Sequence, residues 1–212
     1  MNNKNENIEN NIKNNNNKFE IKQANYILNN NLHNKEDKRI FIENITKLIN
    51  DAYEWGESDM WHFELYKRTN MEEVSNMINE DIIIVAFIES NSIDYSKPVG
   101  SVKCNTKFNE KLKEAELGML SVSITKQGLG NLLISACETK ATNDGCVILR
   151  LELLTPKNWI HPVKKWLEIW YTSDKLRFVK GEKEDFDSLY PQFDSKIKKC
   201  KFDFTVYRKK LI

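Results

Sequence analysis

The sequence is short of the residues that usually announce a function. It has seven glycines, four prolines and four cysteines in 212 residues. Cys104, Cys137, Cys146 and Cys200 lie far apart and form no C-x-x-C pair, which argues against a zinc ribbon or a disulfide framework. They read as reduced thiols of a cytoplasmic, or alternatively nuclear, protein, with no metal expected. No stretch approaches the ~18 apolar residues of a transmembrane helix. The N-terminus lacks the apolar run of a secretory signal. Charge of one sign is missing too. Thirty-two basic residues face 31 acidic ones, for a net charge of +1. A nucleic-acid binder usually carries a basic bias or stripe, so neither nucleic acid nor membrane is an expected partner.

What the sequence does have begins with asparagine. Residues 1–18 are mostly Asn with Lys, Glu and a few Ile. Such a stretch cannot bury enough apolar surface to offset its ordering entropy, and a disordered tail is expected there. One domain is expected over 19–212. A strand is read around Phe19–Leu28 and an amphipathic helix over Asp37–Tyr53, with Phe41, Ile42, Ile45, Leu48 and Ile49 on one face. An aromatic and acidic loop, Glu54–Trp61, follows. Thr69-x-x-Glu72 reads as a capping box opening a short helix. Asp81–Ile88 is a buried strand with Pro98–Cys104 as its hairpin partner, and Asn105–Glu114 is a charged turn. A strand over Val147–Leu154, a helix over Val163–Tyr171 and closing strands at Leu176–Lys180 and Phe202–Tyr207 complete the chain. No internal repeat is present.

The organising stretch is Ala115–Leu133. Its first half is a strand with apolar residues on both faces. Then Gln127-Gly128-Leu129-Gly130 turns into a helix carrying Leu129, Leu132, Leu133, Ala136 and Cys137 at helical spacing. A strand, a glycine turn and a helix start form an anion-binding corner, because free amides and the helix dipole both favour negative charge. A dinucleotide fingerprint would need glycine at 133, where Leu133 stands. A P-loop would need G-K-[ST], and Asn131-Leu132 is there instead.

The corner resembles the [QR]-x-x-G-x-[GA] acyl-CoA motif of GNAT-superfamily N-acetyltransferases. Gln127 takes its first position and Gly130 its fourth, while Leu132 departs at the sixth. The element order is also similar: strand, two helices, three antiparallel strands, glycine corner, helix, strand, helix, strand pair. Local runs resemble one small branch of that superfamily: Ala52-Tyr53 to Trp61, Arg68-Thr69 to Val74, Glu116–Val122, Leu151–Lys164, Trp170-Tyr171, Tyr190-Pro191 and Asp203–Leu211. The resemblance covers roughly residues 20–212. It implies an α/β fold with a mixed sheet, α+β in its antiparallel part, splayed open between the strand before the corner and the strand after its helix. It implies acetyl-CoA as co-substrate, and a small-molecule or peptide amine as acceptor, acetylated by direct attack. The alternative is a non-catalytic acyl-CoA-binding or protein-interaction module on the same fold. Two departures from the pattern stand out. The usual Y-x-x-L-G-[FY] here runs Tyr171 to Phe178 with two extra residues and Arg177 in place of glycine, and Lys164 replaces a common asparagine.

Roles follow from the chemistry of thioester aminolysis. Amides of Gln127, Gly128, Leu129, Gly130, Asn131 and Leu132 would hold pyrophosphate. Backbone groups of Leu120 and Val122 would pair with the pantetheine arm as an added strand and polarise the carbonyl. An alkyl amine with pKa near ~10.4 must lose a proton before attack, and Glu116 is the candidate base. Tyr171 is the candidate acid for the leaving thiolate. Trp55, Glu57, Trp61 and Trp159 are expected to form an acidic, aromatic amine pocket. His161 is a further candidate for a substrate contact or second base, or for orienting its loop.

Overall fold

The computed structural model describes residues 18–211. The expected tail therefore lies outside the described residues, except for Lys18, whose carbonyl already accepts a hydrogen bond from the Glu89 amide at 2.9 Å.

Among the described residues, seven strands form one sheet in the order β1-β2-β3-β4-β5-β7-β6. They are β1 (Phe19–Gln23), β2 (Ile83–Ile88), β3 (Gly100–Asn109), β4 (Glu114–Val122), β5 (Ile148–Pro156), β6 (Val179–Asp185) and β7 (Phe202–Lys210). The helices are α1 (Ala24–Asn30), α2 (Lys35–Glu57), α3 (Met71–Asn79), α4 (Leu129–Asn143), α5 (Pro162–Tyr171) and a single turn, α6 (Phe186–Leu189). Every strand pairing is antiparallel except β4 with β5. Two core layers sandwich the sheet. On one face Phe41, Ile45 and Ile49 of α2 and Val74, Met77 and Ile78 of α3 pack on Ile83, Val85 and Phe87. On the other, Leu129, Leu133, Ile134 and Cys137 of α4 pack on Val102, Leu117, Leu149 and Leu151, with Tyr171 of α5. A third, aromatic cluster around Trp61, Phe186 and Phe202 closes the β7 end.

The element boundaries correct the sequence reading in five places. The first strand stops at Gln23. Ala24 and Ile27, one helical turn apart, are fully buried and start α1. Helix α2 runs on through Glu57, past Gly56, and so takes in half of the expected loop. The α3 cap sits one residue later than read: Asn70 accepts from the Glu73 amide at 2.9 Å, and the Thr69 hydroxyl donates to the Glu73 carboxylate at 2.8 Å. Half of the charged turn after Cys104 is β3, which extends to Asn109. Similarly, β6 takes in part of the acidic segment after Lys180. It is an exposed edge strand, so no apolar alternation marks it.

Candidate active site

The site is made by the way β4 leaves its neighbour. β4 and β5 pair only from Glu114 opposite Ile148 to Leu117 opposite Leu151. β5 then continues to Pro156 on its β7 side alone. Among the described residues, the edge of β4 from residue 118 onward therefore has no ladder partner on the β5 side, as expected for the splayed sheet.

A bulge sits where the strands part. Opposite β3, Lys103 pairs with Gly118 but Ser101 with Ser121, so one extra residue is accommodated. Met119 takes it up with φ +49°, a left-handed conformation rare for a long side chain. The Ser121 hydroxyl donates to the Met119 carbonyl at 3.2 Å and holds the kink. The consequence is a change of face. Leu117 packs toward α4, Met119 packs toward α2 and α3, and Leu120 and Val122 return to the α4 side. Plain alternation from Leu117 would have kept Met119 on its face and put Leu120 and Val122 together on the other; the extra residue reverses this and brings Leu120 and Val122 against the α4 core.

At the corner, Lys126 and Gly128 have φ +60° and +79°. Gly128 is the N-cap of α4 and no side chain caps that end. The first-turn amides are therefore free of intrahelical partners, and the Leu132 amide closes the first turn on the Gly128 carbonyl at 3.2 Å. Gln127 and Gly128 are exposed, Leu129 is buried, and Gly130, Asn131 and Leu132 are half-buried. Leu132, the departure at the sixth motif position, packs against the core. Gly130 has a packing reason that the sequence did not reveal. A Cβ there would stand 2.9 Å from Cη2 of Trp170, whose Nε1 donates to Asn131 Oδ1 at 3.2 Å. Trp170 thus ties α5 to the first turn of α4.

Glu116, on the α2 face of β4, is bound through Oε2 to the Lys103 ammonium at 2.6 Å. Both side chains are half-buried. Tyr171 is the last residue of α5 and is buried, with its ring among Trp170, Phe178 and Tyr207. Burial pushes its phenol pKa up, and the neighbouring phenols of Tyr53 and Tyr207 push the same way. The two extra residues after Tyr171 are absorbed in a turn in which the Ser173 carbonyl accepts from the amides of Leu176 and Arg177 at 3.1 and 2.7 Å. Arg177 then adopts φ +57°, the conformation for which glycine is usual. Leu176 and Phe178 enter the core on either side of it. The insertion therefore leaves Tyr171 at the helix end.

The expected acidic amine pocket does not form. Glu57 is buried and both its oxygens are engaged: Oε1 by the Lys164 ammonium, Oε2 by Trp61 Nε1 at 2.9 Å. Trp61 is itself buried in the aromatic cluster. A carboxylate buried this deeply requires a cationic partner, and Lys164, at the position of the common asparagine, supplies it. Trp55 is exposed on α2, and Trp159 stacks on His161 with ring centroids 5.2 Å apart. His161 is the N-cap of α5. Its Nδ1 accepts from the amides of Val163 and Lys164 at 3.1 and 3.4 Å, and its Nε2 faces Asp59 Oδ1 at 2.9 Å. With one nitrogen accepting and the other donating to a carboxylate, the ring orients its loop and has no lone pair left for a base. Trp170, Lys103, Arg68 and the bulge at Met119 all belong to this region, and the sequence reading gave none of them a role.

Comparison with known proteins places this geometry. No family model matches the chain, and no curated protein matches it. Solved structures do. The chain superposes on the NatC complex bound to Gag peptide and CoA at 14% identity and a TM-score of 0.57, over 92% of this chain and 99% of that one. An N-acetyltransferase from Staphylococcus aureus Mu50 matches at 14% identity and 0.56, with the same coverage. An aminoglycoside 6'-N-acetyltransferase complexed with coenzyme A matches at 16% and 0.53, over 79% of this chain and 91% of that chain. A seven-stranded sheet that parts beside an uncapped helix N-terminus, superposed along nearly its whole length on such proteins, is the GNAT N-acetyltransferase fold.

Proposed function

We propose that this protein transfers an acetyl group from acetyl-CoA to an amine. The observation that carries the reading is the edge of β4 beyond Leu117, which has no ladder partner on the β5 side among the described residues and is followed along the chain by the uncapped amides of α4. An acyl-CoA has the matching form: a pyrophosphate for the helix N-terminus and a peptide-like pantetheine arm for the strand edge. The structural neighbours complexed with CoA support the same fit.

In the reaction the amine nitrogen attacks the thioester carbonyl carbon, the C–S bond breaks, the amine loses a proton and the sulfur gains one. Near pH 7 only about one alkyl amine in 10³ to 10⁴ is unprotonated, so removal of that proton matters. Glu116 is the group on β4 placed to take it, directly or through a water, with Lys103 holding Oε2 and orienting the carboxylate. Backbone amides at the bulge are the available donors for the developing oxyanion. Tyr171, kept protonated by its burial, is the candidate donor to the thiolate.

The test is turnover of acetyl-CoA with a panel of amines, followed by release of free thiol, alongside thermal unfolding with and without acetyl-CoA. Stabilisation of about 2.7 kcal/mol at a hundredfold excess over Kd is expected, together with amine-dependent thiol release. Stabilisation without turnover would support the non-catalytic module. Neither would remove the reading.

A further inference from the structure

We propose that the acceptor carries a carboxylate beside its amine, and that Arg68 seats it. The inference rests on the acetyltransferase reading and adds the chemical class of the acceptor.

Arg68 lies in the loop between α2 and α3, half-buried, with its guanidinium 5.1 Å from the centroid of the Tyr53 ring. Tyr53, Tyr66 and Glu57 are the titratable groups around it. Among the described residues it makes no ion pair with any carboxylate. Glu57 is the one acid in that set, and its hydrogen bonds go to Lys164 on one oxygen and to Trp61 on the other. Glu73, the next acid along, is turned to the Thr69 hydroxyl. Glu57, Lys164 and Arg68 together therefore carry one uncompensated positive charge against a wall of aromatic rings. Arginine presents a planar fork of donors that fits a carboxylate in two hydrogen bonds, and partial burial strengthens that pairing.

The loop is also held for the task. Asn50 on α2 clamps the backbone next to Arg68 twice, donating to the Thr69 carbonyl at 3.0 Å and accepting from its amide at 3.1 Å. The neighbouring Tyr53 lies near enough to Tyr171 to raise that phenol's pKa. Helix α2, which carries Tyr53, packs on Met119 of β4, and Arg68 stands against the Tyr53 ring, so the guanidinium lies on the side of the sheet where β4 presents Glu116. A cationic acceptor, the class an acidic pocket would have favoured, meets a net positive charge here.

The carboxylate could belong to a free amino acid or to an acidic residue near a peptide N-terminus. The experiment uses matched acceptors: a free amino acid and its amide, and a peptide with glutamate near its N-terminus and the same peptide with glutamine. With wild-type protein and acetyl-CoA, the carboxylate member of at least one pair should show kcat/KM higher by about 10- to 100-fold, the range for a charge-assisted hydrogen bond. The pair showing the preference names the source. R68M should erase the preference through KM while leaving the neutral acceptor and acetyl-CoA binding nearly unchanged, and R68K should retain part of it. A purely structural arginine would instead lower activity toward both members of a pair equally. Equal or reversed preference in the wild type overturns the proposal. A second measurement is independent of turnover. N-acetylated amino acids and their amides are titrated into the CoA-loaded protein while the arginine side-chain Nε–H resonances are followed by NMR. A signal absent from R68M should move with the carboxylates alone. If it moves with neither, the carboxylate seat is wrong even where acetyl transfer is observed. If acetyl transfer is absent but the signal moves, the seat stands and the catalytic reading falls.

Discussion

Trp170 stands on Gly130. An alanine Cβ at 130 would come within 2.9 Å of Cη2 of the indole, so the first turn of α4 and the end of α5 are fitted to each other through a missing side chain. Alanine would favour the helix by about 0.5–1 kcal/mol, but a rigid bicyclic ring has no flexible end to yield, and overpacking costs about 1–3 kcal/mol. Gly130→Ala should therefore lower stability, and Trp170→Leu in the same chain should restore part of it. Urea unfolding of the two single variants and the double variant checks this. A coupling below about 0.5 kcal/mol would mean that α5 simply moves aside.

Lys164→Met should be among the more damaging single changes in the protein. It leaves the Glu57 carboxylate buried without its cation, which costs about 3–5 kcal/mol. Adding Glu57→Gln removes the stranded charge and still offers Trp61 an acceptor, so the double variant should recover most of the loss. Equilibrium denaturation decides. Additive losses in the double variant would show that the pair contributes through something other than charge neutralisation.

Tyr171→Phe keeps the ring among Phe178 and Tyr207 and removes only the hydroxyl. If Tyr171 protonates the thiolate, turnover should drop about 10²- to 10⁴-fold, with acetyl-CoA affinity within a few-fold of wild type. Steady-state kinetics under conditions where chemistry limits the rate is the measurement. An unchanged turnover number would remove Tyr171 from the mechanism.

Alkaline pH should loosen the fold through the same phenols. Burial, with the Glu168 charge adding to it, pushes the Tyr207 phenol from 10.0 up to about 12. Burial also raises Tyr171, with the Tyr53 and Tyr207 phenols adding to it. The folded state thus holds these protons more tightly than the unfolded chain. Their contribution to stability is complete below about pH 10, and it declines as pH rises from there through about 12. Urea midpoints measured across that window should fall, and Tyr207→Phe should flatten the decline relative to wild type.

The sequence by itself determined the elements that depend on near neighbours. Helical spacing in α2 and α4, the continuous apolar run of β2 and the glycine turn at 127–130 are all local patterns. Their physical cause acts over a few residues, so they stood where expected, with ends displaced where Ala24, Gly56 and Asn70 overrode a local signal. The parting of the sheet beside that turn was expected too, as what the resemblance to the GNAT fold implies. What only the tertiary structure decided was partnership. Nothing around Met119 announces a left-handed residue, because the bulge arises from the register of β3 against β4. Glu57 read as a pocket acid because acids near aromatic residues suit a cation. Lys164, which neutralises it, lies 107 residues further along the chain. With Glu57 taken by Lys164, Arg68 makes no ion pair with a carboxylate among the described residues. Which charge cancels which depends on burial and on distances through space, and a sequence written in one dimension carries neither.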